Sequence, residues 1–332
     1  MNYIVLDLEW NQSPIGRAGE HPRMPFEIIE IGAMKLNENY EIVDEFRRLV
    51  RPRLYTKLHK YIKNILSYDE KELRQSGEDF KKACKSFLDW CKEDSEEYMF
   101  CTWGVSDLSY LQNNMDFYRM ERLPFPLKYC DIQQIYADKY TNDGAICKLE
   151  KAVDKLEIEH DRPYHAAIND AYYTARVLQA ADLGDIRDKF TIDTYRHPKK
   201  HEDAILEFHN GVIDQISEEY PSRNDAMADK SISNVVCPRC GRKTARKIKW
   251  FQLPSGTECS VGRCFIHGNI MATLKVKPAS DSSDSIFVVK RVSPINKTRY
   301  REVRAKRENY DRKKRERDRR YRERQHIIKG ES

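Results

Sequence analysis

The chain has 332 residues, 40% of them hydrophobic and 34% charged, with a formal net charge of +6. That length allows one substantial domain with smaller attachments. No apolar run approaches a membrane span, and acids interrupt the strand-like N-terminus at once, so neither a membrane protein nor a cleaved leader is expected. The nine cysteines form no secreted framework. Cys84, Cys91, Cys101, Cys130 and Cys147 fall within apolar patterns and read as reduced core residues of a cytoplasmic protein.

In the first segment Ile4, Leu6 and Leu8 alternate with Val5, Asp7 and Glu9, which predicts a strand with both carboxylates on one face. After a polar loop, residues 27–36 and 42–50 read as two more strands of an antiparallel meander. Phe80, Ala83, Cys84, Phe87, Leu88 and Cys91 recur at helical spacing. Residues 98–103 predict a buried strand, and Ser106 a cap for a helix carrying Leu108 and Leu111. A short strand at 127–132 and a helix with Leu149, Val153 and Leu156 follow. The last long helix spans 166–183, stopped by Gly184. The expected product is an α/β domain over 1–185. Residues 186–232 read as a helical connector and linker, with Ile205, Phe208, Val212 and Ile216 on one helix face and a polar stretch from Ser222 to Ser233. A cysteine-bearing module over 233–294 and an Arg-rich tail over 295–332 complete the chain.

Clustered buried carboxylates stay ionised only when cations neutralise them. Asp7, Glu9, Asp107 and Asp170, with His165, suit a pair of hard divalent ions and a general base. His165 and Asp170 would be offset by about 140° on one continuous helix. They reach one site more easily if His165 precedes the helix, a break that Pro163 supports.

The pattern Asp7-x-Glu9, Asp107 and His165-x4-Asp170 resembles the DEDDh branch of the DnaQ-like 3′-to-5′ exonucleases, most closely the Eri-type RNA exonucleases. Phe26 to Gly32, Thr102 to Asp107 and His165 to Ala171 extend the likeness. The resemblance implies an RNase H-like mixed five-stranded sheet flanked by helices. It also implies two Mg2+ or Mn2+ ions, Asp7 bridging both, Glu9 and Asp170 completing one site, Asp107 holding the other, and His165 as general base. Asn169 stands where the family often has Asp. Leu8 and Trp10, beside the acids, are candidate nucleic-acid contacts.

Cys237-Pro238-Arg239-Cys240-Gly241 has zinc-knuckle spacing, and Cys264-Phe265-Ile266-His267-Gly268 has the same shape with a histidine in place of the second cysteine. The expected set for one structural Zn2+ is Cys237, Cys240, Cys264 and His267, with Cys259 as the alternative. The segment resembles a zinc ribbon. The tail, with Arg301, Arg304, Arg307, Arg312, Arg317 and Arg320 and interleaved Tyr300, Tyr310 and Tyr321, reads as an RNA-binding arm or a solvated helical extension. Ribosome or ribonucleoprotein contact through it is a further expectation. The function expected is hydrolysis of single-stranded 3′ ends, RNA before DNA, to nucleoside 5′-monophosphates. A DNA-proofreading exonuclease and a catalytically silent RNA-binding scaffold are the alternatives.

Overall fold

The computed structural model describes residues 1–66, 68–93, 97–141, 145–279 and 284–330, with side chains up to Tyr321. It divides into two compact units, Met1–Arg196 and His197–Ser332.

The first unit opens with β1 (Asn2–Gln12), β2 (Phe26–Leu36) and β3 (Ile42–Leu49), the predicted antiparallel meander. Asn37 makes the β2–β3 turn by accepting the backbone N–H groups of Asn39 and Glu41 on Oδ1. Helices α1 (Lys60–Ile65), α2 (Glu70–Ser76) and α3 (Phe80–Lys92) follow, then β4 (Tyr98–Thr102), α4 (Asp107–Phe117), β5 (Lys128–Asp131), α5 (Ile132–Tyr140), α6 (Leu149–Lys155) and α7 (Ala167–Ala180). Ser106 occupies the position before α4, but its side chain makes no capping hydrogen bond. Asp131 is the cap of α5, accepting from the Gln134 N–H at 3.1 Å.

The strands order as β3-β2-β1-β4-β5, with β4 and β5 parallel to β1. This is the RNase H-like arrangement. A two-residue strand, β6 (Thr191–Ile192), adds a sixth, antiparallel to β5. That pairing, and the Asp193 N–H bonded to the Leu127 carbonyl, carry the first unit past residue 185 to Arg196. The alternation of β1 sorts the core into two layers. Ile4, Leu6 and Leu8 pack with Phe80, Phe87, Leu108 and Leu111 of α3 and α4. Tyr3 and Val5 pack with Tyr136, Val153, Ile168 and Ala171 of α5, α6 and α7.

Asp7 and Glu9 continue the second face, and α7 lies over it. The approach is unusually close at Gly32, the β2 partner of Asp7. A Cβ built there would stand 2.1 Å from the Ile168 nitrogen and 2.2 Å from the Ala167 carbonyl carbon. The first turn of α7 therefore rests on bare backbone.

The second unit departs from expectation. Residues 204–216 are a hairpin of β7 (Ile205–His209) and β8 (Val212–Ile216), and not a helix. The two residues between the strands, Asn210 and Gly211, have φ of 43° and 68°, the left-handed pair of a tight hairpin turn. Residues 222–233 are not a linker. They form α8 (Arg223–Ala228) and α9 (Lys230–Ser233), capped by Ser222 and Asp229, with Ala226 and Ile232 buried. Strands β9 (Ala245–Gln252), β10 (Glu258–Cys264), β11 (Gly268–Pro278) and β12 (Ile286–Pro294) join the hairpin in one antiparallel sheet, β7-β8-β12-β11-β10-β9. The cysteine-bearing strands thus belong to a larger sheet. The basic tail is helical, α10 (Lys297–Gly330). Its first turns are not a free arm, because Val303, Tyr300 and Tyr310 pack with Ile248, Phe251 and Val261. The side chains of Arg322 and Arg324 lie outside the described residues. Among the described residues no helix is long and apolar enough to cross a membrane.

Gly32→Ala forces α7 off the sheet and is expected to cost about 2–3 kcal/mol, the upper range for overpacking. Urea unfolding of Gly32→Ala beside the unsubstituted chain measures the difference.

Candidate active site and cysteine cluster

Three elements deliver the acidic residues to one place. β1 supplies Asp7 and Glu9, and the first turns of α7 supply Asp170. One carboxylate oxygen from each of these three lies within 4.8 Å of the others. Asp107 opens α4 beside them. β4 pairs with β1 only from Asn2 to Val5, and past that point Asp107 Oδ1 accepts the Leu8 N–H at 3.2 Å.

Asp7, Glu9 and Asp170 each keep part of the side chain open to solvent, yet protein surrounds them closely enough to desolvate the charge. Burial is the main cause that pushes their carboxyls up, followed by mutual repulsion. Asp7 is driven well above the usual carboxylate range by burial and then by Asp107, Asp170 and Glu9. Burial and Asp170 carry Glu9 to about 8. Asp107 reaches about 7 by burial, against the pull of backbone N–H groups. Asp170 reaches about 7 by burial, opposed by the His165 N–H. Among the described residues none of the four has an ion-pair partner. Asp170 Oδ1 is buried without a hydrogen-bond partner. An oxygen so placed among like charges has a donor set and a vacancy in its bonding that suit a hard divalent cation.

His165 stands before α7, as the Pro163 break implies. Its φ of 65° is rare for a residue with a side chain and directs its N–H to Asp170 Oδ2 at 3.2 Å. The imidazole is exposed and makes no hydrogen bond among the described residues. The loop that carries it is braced by α7. Asn169 Nδ2 donates to the Pro163 carbonyl at 2.8 Å, Tyr172 donates to Asp161 at 2.9 Å, and Tyr173 donates to the Arg162 carbonyl at 2.6 Å. The departure at Asn169 is therefore a loop tie.

Two residues escaped sequence reasoning. Gly32 is one, and an isolated glycine inside a strand pattern is the signal that marks it. Glu30 is the other. It pairs with Glu9 in the β1–β2 register, is fully buried, and accepts from Arg47 Nε on β3 at 2.8 Å. Its Oε2 has no partner. Its period-2 position on β2 was the available clue.

The Leu8 side chain does not face the acidic group. Alternation sends its side chain to the opposite face from Asp7, and it is buried in the α3–α4 layer. Trp10 is half-buried against Tyr110, at 4.6 Å between ring centroids, and Phe26 at 6.2 Å. Trp103 donates to the Cys147 carbonyl at 3.3 Å and packs on Tyr136.

In the second unit Cys237, Cys240, Cys264 and His267 offer ligand atoms within 4.8 Å of one another. Cys237 Sγ lies 3.3 Å and Cys264 Sγ 3.7 Å from His267 Nδ1, and the Cys240 and Cys264 sulfurs are 3.8 Å apart. Tetrahedral bonds of about 2.3 Å to zinc give sulfur–sulfur edges of about 3.8 Å, so the four residues fit one such ion. Backbone N–H groups of His267 and then Ile266 pull the Cys264 thiol down to about 6. Cys259 lies outside this cluster. It is buried with Phe251, Val261 and Val303, and burial pushes its thiol up to about 11.

The family model for the RNase_T exonucleases matches residues 4–178. The human 3'-5' exoribonuclease 1 is 27% identical over 165 residues, 48% of this chain and 47% of that protein. A probable 3'-5' exonuclease, KapD of Bacillus subtilis, is 27% identical over 183 residues, 54% of this chain and 83% of that protein. The chain thus spans about half the length of the human relative. The solved nuclease domain of 3'hExo, a DEDDh family member bound to rAMP, is 25% identical with a TM-score of 0.47 over 54% of this chain and 90% of that one. The matched segment runs from β1 into α7 and includes the whole acidic group, and the chain belongs to the RNase_T exonuclease family.

Proposed function

We propose that the chain hydrolyses single-stranded nucleic acid from the 3′ end to nucleoside 5′-monophosphates, RNA in preference to DNA, with two divalent metal ions. The observation that carries this is the convergence of Asp7, Glu9 and Asp170, with a buried, unpartnered oxygen on Asp170. The preference for RNA rests on the exoribonuclease names of the human and rat relatives, at 27% and 26% identity.

Asp7, Glu9 and Asp170 would hold one ion and Asp107, with Asp7, the second. Bound there, Mg2+ or Mn2+ supplies charge neutralisation and a more acidic water. The remaining work falls to the protein. His165 accepts the proton of the attacking water through its exposed imidazole. The Asp170 bond to its backbone N–H fixes the position from which it does so. The braced loop and the Trp10–Tyr110 wall confine the terminal nucleotide. Cys237, Cys240, Cys264 and His267 would hold a structural zinc, which adds folding energy to the second unit.

Asp7→Asn is expected to reduce hydrolysis of labelled single strands in Mg2+ to background, with the circular dichroism spectrum unchanged. For His165→Ala the expectation is a turnover number lower by on the order of 100- to 10,000-fold at neutral pH with strand affinity retained. Matched RNA and DNA strands with 3′ or 5′ labels settle substrate and polarity.

The raised carboxyls also predict a pH dependence. Their folded values near 7 and 8 exceed unfolded values of about 4, so the metal-free folded protein holds protons that the unfolded chain releases. This stabilisation is complete below about pH 4 and is lost as pH rises through about 8. The melting temperature without metal should fall from pH 5 to pH 8, Mg2+ should restore more of it at pH 8, and Asp7→Asn should raise it there. A melting temperature that is flat in pH, with or without Mg2+, contradicts the assignment. Elemental analysis should find one zinc per chain, kept by Cys259→Ala and lost by Cys264→Ser.

A further inference from the structure

The turn Cys264-Phe265-Ile266-His267 joins β10 to β11 and lies at the surface of the second unit. Phe265 is 91% exposed and Ile266 65%. A lone exposed apolar side chain is ordinary. This one sits on a turn held at both ends, because Cys264 and His267 belong to the four-residue cluster with Cys237 and Cys240. The same cluster fixes the other turn, which presents Arg239 between its two cysteines.

The charge around these turns has one sign. From Asn234 to Ala279 the sole acid is Glu258, which is buried and bound to Arg223. Arg239, Arg242, Lys243, Arg246, Lys247 and Arg263 are exposed, and among the described residues none forms an ion pair. In α10, by contrast, Arg299, Arg304 and Arg307 are paired with Glu302, Glu308 and Asp311.

A protein partner needs contiguous contact area on the order of 800 Å² a side. One ring and one isoleucine offer little of that, whereas an unpaired base needs a single ring face beside cations for its phosphates. We infer that the two cysteine turns form a binding platform for single-stranded nucleic acid, with Phe265 stacking on a base and Arg239 and Arg242 contacting phosphates. The choice of nucleic acid as the ligand rests on the exonuclease reading of the first unit. The platform is sequence-tolerant, since every base has a face to stack.

The test uses the full chain carrying Asp7→Asn, so that strands persist, and fluorescence anisotropy with a labelled single-stranded RNA. Phe265→Ala should weaken binding about tenfold and Phe265→Trp should retain it. Arg239→Gln with Arg242→Gln should lower the slope of log Kd against log salt by roughly 1.4. Unchanged affinity in Phe265→Ala overturns the platform, and that result also points to a protein as the ligand of this surface. Should Phe265→Ala lose zinc or fold poorly, Phe265→Leu, which keeps apolar bulk without a ring, decides by the same criterion. Hydrolysis of an activated mononucleotide ester separates the two readings. With Asp7 intact, Phe265→Ala should leave it unchanged. Its absence in the chain without substitutions, with Phe265-dependent binding intact, removes the exonuclease reading and leaves the platform standing.

Discussion

The seating of α7 on the bare backbone of Gly32 is the contact on which the acidic site depends. Asp7 lies opposite Gly32 in the strand register, so whatever rests on that glycine rests beside Asp7. The first turn of α7 does so, and Asp170 follows within that turn. A side chain at position 32 would lift the helix and separate Asp170 from its two partners on β1. The same helix braces the loop of His165 through Asn169, Tyr172 and Tyr173. One steric allowance therefore positions both a proposed metal ligand and the proposed base. Asp107 arrives independently, tied to the part of β1 that β4 leaves unpaired.

The acids oppose the stability of the fold that gathers them. Each is raised first by burial and then by its neighbours, and among the described residues Glu30, at the edge of the group, is the one with a cation partner, Arg47. Such an arrangement is a liability without counter-ions and a binding site with them. The sheet can tolerate it because the remaining face of β1 and both neighbouring strands are filled with apolar side chains. The cysteine cluster shows the opposite logic, since backbone N–H groups favour the thiolate at Cys264.

The first unit was largely legible from sequence because period-2 alternation and the spacing of Asp7, Glu9, Asp107, His165 and Asp170 agree with one another. Gly32 and Glu30 were harder, since close backbone approach and cross-strand neighbours exist only once β2 is in register. The hairpin at 205–216 was misread because Ile205, Phe208, Val212 and Ile216 satisfy helical spacing. The local turn preference of Asn210-Gly211 overrides that spacing. Cys259 and Cys264 could not be separated by spacing alone. A strand-interior position buries the first, while the turn after β10 turns the second toward Cys237 and Cys240.

An imidazole in contact with bulk water exchanges its proton with buffer directly. The His165 imidazole occupies such a position, outside the helix and without a hydrogen bond among the described residues. As the proposed base, it would re-arm between cleavages without a chain of internal donors and acceptors. Successive cuts along one strand would then need no conduit for protons through the interior.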